Sequence, residues 1–304
     1  MMKRLIVAAG LLSGLAQGAG AQQIVGRNET AFSLDETVAK GDWVRIASPN
    51  GFVKITQGTG NRVEIRADKV VRRGSIEDIG FVVRRGDGGV TVCAVFEAQD
   101  ECDQDGEYRS RRRSRGWSDD HQLRVNFTVR IPAGVRVRAG SGNGDISVSG
   151  GGPEVIASSG NGRVDVTGST GEVRASSGNG KVTVDGAGGP VEATSGNGDI
   201  RVATSLGPVE ASSGNGSIDV SMDRLEGSPP MSFSTGNGRI TVTVPEAFGA
   251  ELESSTGNGH VTVDFPIQMR GRLDPSRIRG TLGKGGGRLV MSCGNGDLQI
   301  RKQP

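Results

Sequence analysis

The sequence predicts an all-β chain: a single-chain β-solenoid of 18-residue coils, two short strands per coil, with a less regular β cap at its N-terminal end. Three observations predict it. The motif SGNG, or a close variant, recurs from Ser141 to Gly296, with its asparagines at Asn143, Asn161, Asn179, Asn197, Asn215, Asn237, Asn258 and Asn295. The first four intervals are 18 residues, followed by 22, 21 and 37, and a fixed period of this kind marks stacked repeats. Residues aligned on each asparagine form near-constant rows of one parity. Finally, 51 glycines with 34% hydrophobic and 4% aromatic residues suit thin coils with many turns and not a thick globular core.

The chain opens on a segment with the marks of a secretory signal, residues 1–21. Lys3 and Arg4 precede the apolar run Leu5–Leu15, and Ala19-Gly20-Ala21 is a small-residue cleavage site ahead of Gln22. The apolar run is too short to span a bilayer as a permanent helix, and no later stretch of about 18 apolar residues follows. The expectation is export to the periplasm, the cell surface or the medium, with no transmembrane segment. Without residues 1–21 the formal charge falls from +2 to zero, 34 basic residues against 34 acidic. Nucleic-acid binding then loses its electrostatic driver.

Residues 22–40 read as an irregular or edge segment, and residues 41–134 as the cap. Within the cap, Asn50-Gly51 fits the repeat template, with Val44, Ile46, Ser48, Val53 and Ile55 in the five rows, so a degenerate first coil is expected there. Further strands are expected at Val63–Ala67, Phe81–Arg85, Val90–Phe96 and Leu123–Ile131, shielding one open end of the stack. Between the last two lies a charged loop, residues 97–120. It holds Glu101, Asp103, Asp105 and Glu107, then Arg109, Arg111, Arg112, Arg113 and Arg115. A solvated polyampholyte loop is the plain reading. The sharper one is a partner-binding loop that takes an anionic glycan or head group through its arginines, although the adjacent acids oppose strong anion attraction. Asp100, Asp103 and Asp105 hint at calcium but lack the full ligand series of a calcium loop, so no metal or cofactor is expected. Cys93 and Cys102 flank a short strand-loop segment, and in an exported chain they read as a disulfide.

From residue 135 to 302 the repeats take over. The rows six and four residues before each asparagine run Val137, Val155, Val173, Val191, Val209 and Ala139, Ala157, Ala175, Ala193, Ala211. The row two before it is Ser or Thr until Cys293, which reads as a buried, unpaired thiol. Rows three and five after it are Ile, Val or Leu. Polar residues interleave, which is the period-two pattern of strands with one wet face. A meander of Asn-Gly hairpins and a solenoid both satisfy this parity. The constancy of each row favours the solenoid, where like stacks on like about 4.8 Å apart. For the asparagines two readings stand: an amide ladder along the axis, or tolerance of a left-handed bend beside glycines that permit positive φ. Residues 265–287 break the period and read as a longer loop over the second end. Gly283-Lys284-Gly285 lacks the spacing and hydroxyl of a phosphate loop. Arg301, Lys302 and Pro304 suit a blunted final edge.

The run FTVRIPAGVRV (127–137) leading into SGNGDISV, and the closing GGRLVMSCGNGDLQIRK, resemble the putative-adhesin family of bacterial β-strand-repeat proteins of unknown function. The resemblance covers about residues 40–302. It implies a surface or periplasmic β-solenoid, and the Cys93/Cys102 pair resembles one in exported members. No catalytic residues come with it.

Three functions remain in view. One is an adhesin-like, non-catalytic interaction module with a glycan, envelope or protein partner. A second is an envelope-stress or structural component without a small ligand. The third and least favoured is a polysaccharide-acting enzyme on a β-helix. Such an enzyme needs a carboxylate cluster or a nucleophile with its base. The outward charges instead alternate in sign between coils, and His121 and His260 are far apart.

Overall fold

The computed structural model describes residues 23–86, 88–97, 100–109, 122–204, 206–224, 229–269 and 274–303. The segment with Ala19, Ala21 and Gln22 lies outside the described residues.

Strands that precede each asparagine and strands that follow it fall into two different sheets, of 14 and 12 strands. Val137, Val155, Val173, Val191 and Val209 stand abreast in successive parallel strands. So do Ile146, Val164, Val182, Ile200 and Ile218 in the opposite wall. The two strands of one coil would pair antiparallel in a meander; here each pairs in parallel with its copies. The fold is therefore the β-solenoid. The five inward rows are buried between the walls, except that Val261 and Val263 in the outermost coil are half-buried. One sheet's apolar face thus closes on its own other wall, and each coil depends on its neighbours for stability.

The bends show why the motif is Ser-Gly-Asn-Gly. Each inward hydroxyl donates to the glycine carbonyl one coil below: Ser159 to Gly144 at 2.8 Å, Ser177 to Gly162 at 2.8 Å, Ser213 to Gly198 at 2.9 Å. An acceptor at the tight bend is thereby satisfied out of water. The asparagine amides form an unbroken ladder, with Nδ2 donating to Oδ1 at 2.7–2.8 Å from Asn161 on Asn143 through Asn237 on Asn215. No non-glycine residue described has positive φ, so left-handed tolerance is not what selects asparagine. The glycines around it answer to space. A Cβ on Gly160 would stand 2.5 Å from the Gly142 carbonyl oxygen, and one on Gly162 would collide with that of Gly144.

The stack begins before the regular repeats. Strand Trp43–Asn50 pairs in register with Arg136–Asn143 and Val53–Gln57 with Ile146–Ser149, so Val44, Ile46, Ser48, Val53 and Ile55 fill the rows as expected. Beyond them lies a coil with no repeat motif. Strand Gly89–Val95 runs parallel to Trp43–Asn50, and Gln122–Ile131 runs parallel to Val53–Gln57. Its bend is where the charged loop is inserted; the Asn50 amide reaches across it to Leu123 O at 2.8 Å. Antiparallel strands then finish the end: Gly80–Gly86 with Ile24–Val25 in one sheet, Arg62–Arg73 with Ala31–Thr37 in the other. Phe32 stacks on Phe81, which meets Phe127 edge-on. Lys69 holds the inward position where this core gives out. Its ammonium donates to the carbonyls of Gly26, Arg27, Ile76 and Ile79 at 2.6–3.1 Å.

At the other end the chain departs from sequence order. The final coil, Arg288–Asn295 and Leu298–Lys302, lies inside the stack, between the Asn237 and Asn258 coils. Asn295 donates to Asn237, and Asn258 to Asn295, each at 2.7 Å. The expectation of a blunted C-terminal edge is thus corrected: Arg301 and Lys302 are the last residues of an interior strand. The reason is steric. The antiparallel strands Ile267–Met269 and Arg277–Leu282 cover the outer side of Ala250–Asn258, so the last coil has only the inner side left. Glu253 bridges the two, 2.6 Å from Arg279 and 2.7 Å from Arg288.

Candidate functional site

The inserted loop leaves the stack where a bend would be, and its described residues 100–109 lie over the outer face of the 14-stranded sheet. Residues Glu101–Cys102 and Tyr108–Arg109 pair as a small antiparallel ribbon. The ribbon is fastened at several points. The Cys93–Cys102 disulfide ties it to the sheet, with a Cα–Cα distance of 6.3 Å, and both cysteines are buried. Thr91 Oγ1 donates to Gln104 O at 2.7 Å, and Arg84 Nε to Cys102 O at 2.7 Å. Asp100 is buried and accepts at Oδ2 from the Phe96 and Glu97 amides and from Tyr108 Oη, the last at 2.6 Å.

Among the described residues, two of the loop acids reach arginines of the sheet beneath. Asp105 lies 3.5 Å from Arg45 and Glu107 lies 3.6 Å from Arg138, both arginines of the sheet beneath. Glu107 also stands 3.5 Å from Arg109. Asp103 Oδ1 accepts the amides of Asp105 and Glu107. The three aspartates considered for calcium therefore each serve a different partner. Arg111, Arg112, Arg113 and Arg115 lie outside the described residues.

What the sequence reading missed is the row of residues under the strap. Across the sheet, Arg84, Thr91, Arg45 and Arg138 stand abreast on neighbouring strands. The signal was present, since Arg45 and Arg138 occupy the same outward row of their coils, but only the pairing brings Arg84 alongside. Trp43 lies between Arg45 and Arg136, whose guanidinium carbons are 5.1 and 4.8 Å from its ring centroid. Two cavities open beside the strap. One of about 280 Å³ is lined by Arg45, Arg84, Thr91, Gln104 and Asp105 with the glycines at 86, 88 and 89. One of about 390 Å³ runs between Tyr108 and the sheet at Pro49, Arg138, Gly140 and Ser158.

Elsewhere on the wet faces opposite charges meet around Arg174. Arg174 contacts Glu172, Glu154 and Glu192 at 2.6, 3.3 and 3.7 Å, the inter-coil pairing that the alternating signs imply. Asp145, Asp199 and Asp297 accept backbone amides of the adjacent coil. The His260 ring is exposed and 4.0 Å from Asp297, and the inward serines donate to backbone carbonyls, away from any base. Cys293 is buried, and its Sγ takes the hydroxyl's place on Gly238 O at 3.1 Å. Burial pushes its thiol pKa up. No helix among the described residues is long and apolar enough to cross a membrane.

A family model described as Toastrack DUF4097 matches residues 115–301. Among solved structures, a putative adhesin from Bacteroides fragilis is 14% identical, with 89% of this chain and 96% of that one covered and a TM-score of 0.47. A putative adhesin from Parabacteroides distasonis is 10% identical, covering 88% and 96% with a TM-score of 0.37. A putative cell adhesion protein from Clostridium sporogenes is 10% identical, covering 90% and 100% with a TM-score of 0.26. No curated protein matches the chain.

Proposed function

The chain belongs to the Toastrack DUF4097 family, and from that footing we propose that it works outside the cytoplasm as an adhesin-like, non-catalytic interaction module. The observation that carries this is the strap. A loop inserted into one bend is held across the outer sheet face by a buried disulfide, two side-chain bonds to its backbone and two ion pairs. A stack that needed only to be rigid gains nothing from such an insertion. A stack that presents a shaped, charged surface at a fixed place does. The disulfide suits an oxidising compartment, in keeping with the signal-like residues 1–21. The partner is an envelope component, glycan or protein that meets the strap and the arginine row beneath it.

The test is binding of the purified chain, lacking residues 1–21, to isolated envelope fractions and to a glycan array, with and without residues 97–120. Saturable binding that falls on deletion of the loop supports the reading. Absence of binding to every surface, or turnover of a polysaccharide, refutes it.

A further inference from the structure

Arg45 is in an unusual position for an arginine. Its side chain is 13% exposed, whereas those of Arg62, Arg66, Arg174, Arg279 and Arg288 are 46–66% exposed. Those exposed arginines sit within 2.6–2.9 Å of a carboxylate. Arg45, more buried than any of these, lies on the Trp43 ring and meets one carboxylate among the described residues, Asp105 at 3.5 Å, itself 70% exposed. Desolvating a guanidinium is tolerable when its fork is met by hydrogen-bonding anions. Here a well-buried fork is met by one long pair to an exposed carboxylate. Burial pushes its pKa below the ordinary value; Asp105 opposes, and Arg138 and Arg136 add to the fall.

The surroundings complete a receptor for negative charge. Arg45 and Arg84 line the same cavity of about 280 Å³. Arg84 is fixed by its Nε bond to Cys102 O, and Gln104 by the Thr91 bond to its carbonyl. The Gln104 amide nitrogen lies over Gly86, where a Cβ would stand 2.6 Å from it. At Gly88 a Cβ would meet nothing within 4 Å beyond its chain neighbours. We infer that this cavity is a binding site for the carboxylate of an acidic saccharide, held between Arg45 and Arg84 with Gln104 as a third donor. Asp105 is then a loosely held internal substitute that swings to solvent when the ligand enters. A saccharide fits better than a bilayer. The cavity has room for a ring besides its anion, and among the described residues the exposed large apolar side chains are Phe52 and Val70, neither of which lines it.

This inference deepens the interaction reading and names its ligand chemistry. It is tested by titrating the chain that lacks residues 1–21 with oligogalacturonate, its neutral methyl ester, inorganic sulfate and phosphatidylglycerol vesicles, following Trp fluorescence and heat. Oligogalacturonate is expected to bind saturably and the ester about tenfold more weakly or worse, the loss of a charge-assisted pair. Arg84→Gln should weaken binding about as much. Asp105→Asn, an exposed change that removes the competing carboxylate, should tighten it. Circular dichroism establishes that each variant is folded, and the opposite effect of Asp105→Asn separates site chemistry from a damaged fold. The inference is overturned by no saturable oligogalacturonate binding, by an ester that binds equally, or by folded variants that bind like the parent. Sulfate or vesicles binding more tightly than the oligosaccharide also overturns it. Envelope binding that survives Arg84→Gln unchanged sinks this site and leaves the interaction reading standing. Oligogalacturonate binding without any envelope binding does the reverse.

Discussion

Replacing Asn179 by alanine tests the amide ladder at its centre. The Asn179 Nδ2 donates to Asn161 Oδ1 at 2.7 Å, and its Oδ1 accepts from Asn197 Nδ2 at 2.8 Å, so the substitution removes two bonds. A net contribution of about 0.5–1.5 kcal/mol each, taken at the lower end because the side chains are exposed, gives a loss of roughly 1–1.5 kcal/mol. Asn258 closes the ladder with one bond to Asn295, so Asn258→Ala should cost about half as much. Asn179→Asp isolates the cause. It keeps the acceptor for Asn197 but turns a carboxylate oxygen toward Asn161 Oδ1. It should cost at least as much as alanine near neutral pH and recover part of the loss below about pH 4, where the protonated carboxyl can donate again. The assay is urea unfolding, with amide exchange over residues 155–200 to catch local opening, because a stack of coils need not unfold in one step. A loss below about 0.5 kcal/mol for Asn179→Ala, or an aspartate variant as stable as the parent, would refute the ladder as a stabilising element.

Two further outcomes follow from the C-terminal end. Removing residues 288–304 takes out an interior coil with Cys293 buried beside Leu289, Met291, Leu298 and Ile300, the last four each worth roughly 1.5–3 kcal/mol. Exchange protection should vanish over 250–282 yet persist over 136–222; continued protection of 250–282 would mean that the Asn258 coil docks without it. Hydrogen bonds from Arg288 and then Arg279 hold the Glu253 carboxyl pKa below its ordinary 4.5. A depressed carboxyl contributes stability above its unfolded pKa and loses it as pH falls through the folded value. The melting temperature of the parent should therefore approach that of Glu253→Gln as pH drops from about 6 to about 3, and a constant gap would contradict the pairing.

The repeats determined a great deal without any coordinates. Period 18 and the parity of Val137, Ala139, Ser141, Ile146 and Val148 defined the coil and its inward face, because stacked copies of one strand place like beside like. The same template identified Asn50 as a bend before the regular repeats began. Other features depend on contacts between segments that no local pattern links. The coil formed by 89–95 and 122–131 carries no motif, since its bend was replaced by the charged loop. Coil order at the C-terminus could not be read from sequence either. Every coil offers its neighbours the same edge, so Asn295 matches Asn237 as well as Asn258 does, and only the antiparallel cover over 250–258 decides between them. The candidate site is of the same kind. Arg45, Arg84 and Gln104 are scattered along the chain, and strand pairing with a buried disulfide brings their side chains to one cavity.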